Sequence, residues 1–294
     1  MAFLEYTPQA SLFHYTNNLG FEGILKSKKL WLSDIQSTND PREIHLGKGL
    51  LLAAFKELRH LDFEGYRGLP LSILAGKISG YLSERRLFSA SFCHEGDSLP
   101  MWREYGEDGQ GYSIGFRSRC LTDMPLRIQR IRYLPEVDVG HFAELLRDGP
   151  QSYSTQEDIS SVISNIHVIA PILSAVVSAK HGSWEYEHEI RLSHATDAKG
   201  EIHSINGTDI PSYEYPDGKP YFTEVLSRPG PERVVNYVAL PYGKYVDSKH
   251  DPSQAIEKII LWPRCRKELG EVEEFVRSCG FKKFEVTRIP QVNL

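Results

Sequence analysis

The sequence predicts an α+β fold with one mixed or antiparallel core sheet, helical insertions and a single domain. Three observations predict this class. Short apolar runs of strand length recur along the chain, for example at residues 12–15, 87–93 and 112–116. Longer stretches with helical spacing lie between them, and 40% hydrophobic residues suffice for a buried core. No internal repeat or low-complexity linker divides the 294 residues, so a second domain is not expected.

The amino-terminal third is predicted to alternate strands and helices. The first helix should bury Leu19, Ile24 and Leu25 on its inner face. The run Asn39-Asp40-Pro41-Arg42-Glu43 places Asp at the N-cap, Pro at the first helical position and Glu at the third, which begins a helix. In order, the predicted elements are a strand at 12–15, a helix at 17–27, a strand at 30–32, a helix from 41 to about 58, a helix at 70–84 and a strand at 87–93.

The remaining two thirds are predicted to contain more strands and fewer helices. Ser98 should cap a short helix through Met101, Trp102 and Tyr105, and the glycines of 106–111 should form a turn. The helical pattern of residues 155–180 is expected to bend or break before Pro171. In order, the other predicted elements are strands at 112–116, 126–133 and 187–192, loops at 199–219, strands at 233–240 and 256–262, a helix at 267–279 closed by Gly280, and a strand at 284–289.

Charge and cysteine usage narrow the function classes. A formal charge of −5 gives no broad basic field for sequence-independent nucleic-acid binding, although a local patch remains compatible with a nucleic-acid substrate. The four cysteines are scattered without a CxxC pair, which favours free thiols in a reducing compartment. The first residues lack the features of a signal peptide, and the apolar stretch 167–179 is too short to span a bilayer. We therefore expect a cytoplasmic protein with no membrane contact. No histidine has metal-ligand spacing, so no metal site is expected.

The first group of candidate site residues is His14-Tyr15-Thr16, at the end of the first predicted strand. The side chains of His14 and Thr16 share one face because they are two apart on a strand. The helix that follows directly presents backbone amides, which suit a pyrophosphate or another polar ligand. A strand histidine with a purely structural role is the competing interpretation.

The second group joins a strand, a short aromatic helix and another strand. Ser91 and Phe92 lie at the end of the strand 87–93, and Trp102 and Tyr105 lie on the helix that follows. Either aromatic ring suits stacking on a planar heteroaromatic ligand, with a contribution of about 1 kcal/mol. The competing interpretation is that these aromatic residues pack the helix on the sheet.

The third group is the segment from Lys180 to Arg191. On a predicted strand, Glu185, Glu187, Glu189 and Arg191 all face one side. Carboxylates in a row repel one another, so Lys180 and Arg191 are expected to offset them. A solvated edge strand with salt bridges is the competing interpretation. A carboxylate between cations in a cleft is the group that steadies positive charge at a sugar carbon.

Together, these three groups resemble a bacterial family known as domain-of-unknown-function family 2971. The resemblance extends from about residue 10 to residue 192, with a looser fit to the carboxy-terminal strand, helix and strand. Its motifs are a histidine-tyrosine-threonine start, an Asn-Asp-Pro step, Met-Trp-x-x-Tyr, Gly-x-x-Ile-Gly-Phe and Lys…Trp-x-x-Glu-x-Glu-x-Arg. This chain supplies them as His14-Tyr15-Thr16, Asn39-Asp40-Pro41, Met101 to Tyr105, Gly111 to Phe116, and Lys180, Trp184, Glu187, Glu189 and Arg191.

A second resemblance is to ADP-ribosyltransferases, including the DarT toxins, the RNA 2′-phosphotransferases and the poly-ADP-ribose polymerases. It implies a split-sheet core with helical insertions near 41–86 and 138–180 and a strand-helix-strand end at 256–290. It also implies NAD as substrate, with His14 and Thr16 on the ribose and Trp102 or Tyr105 on nicotinamide. Glu189 or Glu187 would act at the ribosyl carbon. The second group lacks the Tyr-Phe-Ala sequence that is usual in the corresponding motif of these enzymes. It therefore stays open which aromatic residue stacks on nicotinamide. Residues implied to contact the cofactor are His14, Tyr15, Thr16, Ser91, Phe92, Trp102, Tyr105 and Arg191.

The function expected from these resemblances is NAD-dependent ADP-ribosyl transfer. The context would be a bacterial toxin or antiphage effector in the cytoplasm, with a nucleic-acid or protein acceptor and an antitoxin or other neutralising partner. Two alternatives remain open. One is a non-catalytic nucleotide-binding or interaction module, and the other is plain NAD hydrolysis.

Overall fold

The computed structural model describes eleven stretches of the chain, and every structural statement below concerns these residues. They are 3–4, 6–37, 43–59, 75–76, 78–80, 83, 86–148, 166–196, 224–230, 234–242 and 250–290. The strands are β1 (Phe3–Leu4), β2 (Leu12–Thr16), β3 (Lys29–Asp34), β4 (Arg86–Phe92), β5 (Tyr112–Phe116), β6 (Arg127–Arg130), β7 (Arg132–Tyr133), β8 (Ala179–Lys180), β9 (Ile190–Thr196), β10 (Leu226–Pro229), β11 (Val234–Pro241), β12 (Ile256–Leu261) and β13 (Glu285–Arg288). The α-helices are α1 (Asn18–Ser27), α2 (Glu43–Leu58), α3 (Leu99–Glu104), α4 (Ser118–Thr122), α5 (Val139–Asp148), α6 (Ile166–Ser178) and α7 (Leu269–Ser278).

The strands form two main sheets in a mixed α+β arrangement. The larger sheet has seven strands in the order β1-β6-β9-β4-β3-β11-β10, and β9 lies in its interior. All its pairs are antiparallel except β1 with β6. The smaller sheet has the order β13-β12-β5-β2, with β12 and β13 parallel, and β7 and β8 form a separate parallel pair.

A two-residue bridge connects the two main sheets. Phe13 in β2 and Cys93, which directly follows β4, exchange both backbone hydrogen bonds, with N···O distances of 2.8 and 3.0 Å. This bridge fixes the end of β4 beside the start of β2. The residues that surround the bridge therefore come from both sheets, for example His14 from β2 and Ser91 from β4.

Two large apolar clusters hold the elements together. The first contains side chains from both sheets, such as Leu192 and Ile114, and from helices α1 and α7. The second joins helices α2, α5 and α6, with Ala54, Phe142 and Val176 completely buried. A smaller cluster formed by Tyr15, Cys93, Met101, Trp102 and Ile260 lies beside the bridge.

Several predicted elements differ from the observed ones. Leu19 is 59% exposed rather than inward, whereas Ile24 and Leu25 are buried as predicted. The segment 126–133 forms two strands instead of one, and α6 continues through Pro171 without a break. The predicted helix at 70–84, the loops at 199–219 and the helix start at 39–42 lie wholly or mostly outside the described residues.

In the described ranges, no helix is both long enough and apolar enough to cross a membrane.

Candidate functional site

Four charged side chains form a buried ion cluster where β8, β9 and a short 3-10 helix meet. Lys180 ends β8, Glu187 ends the 3-10 helix Gly182–Glu187, Glu189 directly precedes β9, and Arg191 lies in β9. Each of the four is between 2% and 4% exposed. Lys180 forms ion pairs with both glutamates and Arg191 with Glu189, which confirms the expectation that these two cations offset the carboxylates.

The Glu189 carboxylate is fully occupied by donors. One oxygen accepts hydrogen bonds from the Ser91 hydroxyl at 2.7 Å and from Nε of Arg191 at 2.8 Å. The other accepts from Nη2 of Arg191 at 3.0 Å and from Nζ of Lys180 at 3.1 Å. A carboxylate has about four lone-pair positions, so Glu189 has no free acceptor site for a ligand in this arrangement.

The Glu187 carboxylate has fewer protein partners. One oxygen accepts a hydrogen bond from the Tyr105 hydroxyl, and the other accepts from Nζ of Lys180. The ammonium group of Lys180 also lies 5.1 Å from the centre of the Trp184 ring, a cation–π contact. Acceptor positions on Glu187 therefore remain available to a substrate.

The two glutamates differ in acidity. Burial alone would raise the pKa of Glu189, but Arg191 and Lys180 outweigh it and lower the pKa to about 2. Burial raises the pKa of Glu187 above its usual value, and the opposing charge of Lys180 does not cancel this effect. Burial also raises the pKa of Tyr105, with the Glu187 charge adding to it, so the phenol keeps its proton and donates to Glu187. Separated acidities in neighbouring carboxyl groups are typical of acid–base sites.

The local backbone around these glutamates corrects two expectations. Residues 182–187 form a 3-10 helix rather than a strand, and His188 is left-handed with a φ of 43°. Glu185 is consequently exposed instead of sharing a face with Glu187. The solvated edge strand is also wrong, because β9 lies between β6 and β4 and its Arg191 is buried.

A cavity of about 340 Å³ borders Glu187. This volume lies at the lower end of the range of about 300–1,000 Å³ for small-molecule sites. Neither Glu189 nor Arg191 lines it. The lining residues are Tyr6, Cys93, His94, Glu95, Ser98, Met101, Arg130, Tyr186, Glu187, His188 and Ile190.

His14 is connected to the ion cluster through Ser91. Nδ1 of His14 lies 2.9 Å from the backbone carbonyl oxygen of Ser91, whose hydroxyl donates to Glu189. Burial lowers the pKa of His14, so a neutral imidazole that donates from Nδ1 is the favoured form. The structure thus brings residues of all three candidate groups into one chain of contacts, although His14 does not line the cavity.

Tyr15 and Thr16 lie on opposite faces of β2. The Tyr15 hydroxyl donates to the carbonyl of Glu95 and accepts from the Ser98 amide, both at 2.8 Å. Its pKa is raised, chiefly by burial. Tyr15 is therefore a packing residue on the face away from His14. Thr16 is half-buried on the His14 face.

Side chains of the protein already contact the backbone amides at the start of helix α1. The Asn17 side chain caps it by accepting from the Gly20 amide at 2.9 Å. The amide of Asn18 faces a carboxylate oxygen of Glu107 at 3.4 Å. An anionic ligand at this helix start would have to displace Glu107.

Two of the aromatic candidates are buried among protein side chains, and the third has a hydroxyl that reaches the ion cluster. Trp102 is 1% exposed and packs edge-on against Tyr15, with ring centres 5.0 Å apart. Phe92 is also 1% exposed, and its ring centre lies 5.3 Å from that of His14. Both rings are occupied by protein neighbours, so neither is presented for ligand stacking. Tyr105 is half-buried and is the candidate whose hydroxyl reaches Glu187.

Most of the residues around the cavity were not predicted as site residues. Glu187 was predicted as a site residue, whereas Tyr6, His94, Arg130, Tyr186 and His188 were not. These side chains carry no recognisable motif and come from β6, the 3-10 helix and three connecting segments. One signal in the sequence could have indicated two of them: His94 and His188 lie close in sequence to predicted site residues.

No group of three or more histidine, cysteine, aspartate or glutamate side chains within the described stretches is placed to hold a metal ion.

Comparison with known families adds one observation. Residues 101–192 match the model of a family described as "Protein of unknown function (DUF2971)". The match supports the expected relationship to this family across a segment that contains the whole ion cluster. The family description names no activity. No curated protein and no solved structure significantly matches the chain.

Proposed function

We propose that the protein is an NAD-dependent ADP-ribosyltransferase-like enzyme in which Glu187 is the acting carboxylate. The observation that carries the proposal is the division of roles between two buried glutamates. Glu189 is saturated by cations and Ser91, whereas Glu187 borders a cavity and has a raised pKa. The two sheets joined at Phe13 and Cys93 support a split-sheet core of the kind found in these enzymes.

The proposed reaction breaks the bond between nicotinamide nitrogen and the ribose carbon. Nicotinamide leaves as a neutral molecule with the bonding electron pair, and positive charge develops on the ribose. The acceptor then forms a bond to that carbon and releases a proton. Glu187 forms a hydrogen bond with the 2′-hydroxyl of the ribose. Its ionised form also takes the acceptor's proton, because a raised pKa makes a carboxylate a better general base. The resemblance assigns His14 and Thr16 to a ribose of NAD, although neither residue lines the cavity beside Glu187.

The charges behind Glu187 have a separate role in this proposal. Lys180 and Arg191 keep Glu189 ionised, and Lys180 also fixes the direction of the Glu187 carboxylate. Tyr105 holds the other oxygen. Preorganised donors of this kind lower the barrier because they need no rearrangement during the reaction. The resemblance adds a proposed context of a cytoplasmic bacterial toxin or antiphage effector with a neutralising partner.

The test is release of nicotinamide from NAD, followed by NMR in the presence of DNA, RNA or protein acceptors. We expect release by the wild type and a loss of about 10²-fold or more in Glu187→Gln, the usual scale for removing an acid–base group. Glu185→Gln is the matched control, because Glu185 lies on the same 3-10 helix but is exposed. It should retain full activity. Absence of nicotinamide release with every acceptor, and of thermal stabilisation by NAD, would falsify the proposal.

A non-catalytic nucleotide-binding module is the second candidate. The occupied lone pairs of Glu189 favour it, because a saturated ion cluster also serves a purely structural role. This candidate predicts NAD binding that survives Glu187→Gln, without nicotinamide release. Plain NAD hydrolysis would instead release free ADP-ribose and leave every acceptor unmodified.

A further inference from the structure

The cavity beside Glu187 is lined by a cation that has no carboxylate partner among the described residues. Arg130 ends β6 and lines the cavity, and its side chain is exposed. No described aspartate or glutamate lies within ion-pair distance of its guanidinium. By contrast, Lys180 and Arg191, the other two cations of this region, pair with glutamates. Arg130 is therefore available to an anion that enters from solvent.

His94 lies close enough to Arg130 to feel its charge. Partial burial and this positive charge lower the pKa of His94, so the imidazole is neutral at physiological pH. Nε2 of His94 lies 2.6 Å from the Tyr6 hydroxyl. With the Tyr6 hydroxyl donating to Nε2, the proton of the neutral ring resides on Nδ1, which can donate to a ligand.

Ser98 provides a further polar group in the same cavity. It occupies the N-cap position of α3, but its hydroxyl makes no cap hydrogen bond. Its backbone amide is already bound to Tyr15. The Ser98 hydroxyl has no partner among the described residues, so it can bond a ligand hydroxyl or a phosphate oxygen.

We infer that this cavity binds a phosphorylated sugar, with the phosphate on Arg130 and His94 and the sugar hydroxyls on Glu187 and Ser98. Guanidinium groups bind phosphate oxygens through strong charge-assisted hydrogen bonds, and carboxylates accept from sugar hydroxyls. The half-buried Tyr6 and the exposed Tyr186 also line the cavity. The inference deepens the proposed function and rests on it for the reaction, while ligand binding is measured separately from turnover.

The experiment measures binding of ribose 5-phosphate, ribose and inorganic phosphate by titration calorimetry and ³¹P NMR at low salt. We expect ribose 5-phosphate to bind at least about tenfold more tightly than ribose, and Arg130→Gln to remove most of that difference. Ribose binding should be the same in the wild type and in Arg130→Gln. Unchanged binding of ribose 5-phosphate by Arg130→Gln, equal affinity for both sugars, or no binding of any probe overturns the inference.

Arg132→Gln is the matched control. Arg132 is an exposed arginine two residues away, and it contacts His141 at 2.7 Å rather than the cavity. It should bind ribose 5-phosphate like the wild type. Nicotinamide release is measured on the same samples. Phosphate-dependent binding without release would contradict the proposed function alone, whereas release that is insensitive to Arg130→Gln, with unchanged binding, would contradict this inference alone.

Discussion

The carboxylates of Glu187 and Glu189 share Lys180, yet they depend on ionisation to different degrees. Glu189 is held ionised by two cations, whereas burial favours the protonated form of Glu187. The ionised Glu189 therefore contributes to the stability of the fold, whereas Glu187 is placed to exchange a proton. This distinction leads to a stability prediction that needs no knowledge of the substrate.

We predict that Glu189→Gln lowers the free energy of unfolding by about 3–5 kcal/mol, because it removes the charged carboxylate that pairs with the buried Arg191 and Lys180. Glu187→Gln should lower it by about 1 kcal/mol or less, because Lys180 still pairs with Glu189 and the neutral amide retains the Tyr105 contact. Urea denaturation at neutral pH measures both. Equal losses in the two variants would contradict the division of roles.

The pH dependence of stability gives a second measurement for the same pair. The folded-state pKa of Glu189 is about 2, below its ordinary value of 4.5. Its contribution is therefore fully present above pH 4.5 and is lost as the pH falls towards about 2. The wild type should lose stability in this acidic window, and Glu189→Gln should lose less there. A steeper acidic loss in the variant would show that Glu189 is not the ionised partner.

Helix α2 shows how the backbone of one element can approach another closely. Gly47 faces α6, and a Cβ atom placed on it would lie 2.1 Å from the backbone oxygen of Val176. Gly49, in the same helix, has open space around its Cβ position. Backbone atoms of a packed helix cannot move away as a flexible side chain can, so only glycine is accommodated at 47.

We predict that Gly47→Ala and Gly49→Ala have opposite effects. Gly49→Ala should stabilise the protein by about 0.5–1 kcal/mol, because alanine is the better helix former. Gly47→Ala should destabilise it by about 1–3 kcal/mol, because the methyl group forces α2 away from α6. The shift in thermal midpoint of the two variants checks this. A stabilised Gly47→Ala would mean that α2 does not pack on α6 at this point.

Most elements could be predicted from the sequence because their patterns are local. The strand at 112–116 and the helix that ends near Leu58 follow directly from hydrophobic periodicity. The 3-10 helix at 182–187 could not be predicted, because alternation of glutamates looks the same whether or not His188 adopts a left-handed conformation. The contact between Lys180 and the glutamates was predictable from charge, whereas the cavity depends on how distant segments meet.

At the scale of the whole molecule, the bridge between Phe13 and Cys93 joins two sheets that also share an apolar core. We predict that the amides of Phe13 and Cys93 exchange with solvent only through global unfolding. Their exchange should match that of Ile114 and Leu192, which lie in the core strands of the two sheets. Hydrogen exchange followed by NMR measures this. Faster exchange at the bridge than at the core strands would show that the sheets separate locally.

Ser91 offers its backbone to one side and its side chain to the other. His14 contacts the carbonyl oxygen, which every amino acid possesses, whereas Glu189 contacts the hydroxyl, which few provide. Replacement of Ser91 would therefore remove a hydrogen bond to Glu189, while His14 would keep its contact with the backbone carbonyl oxygen. A single substitution can thus change one of the two contacts and leave the other intact.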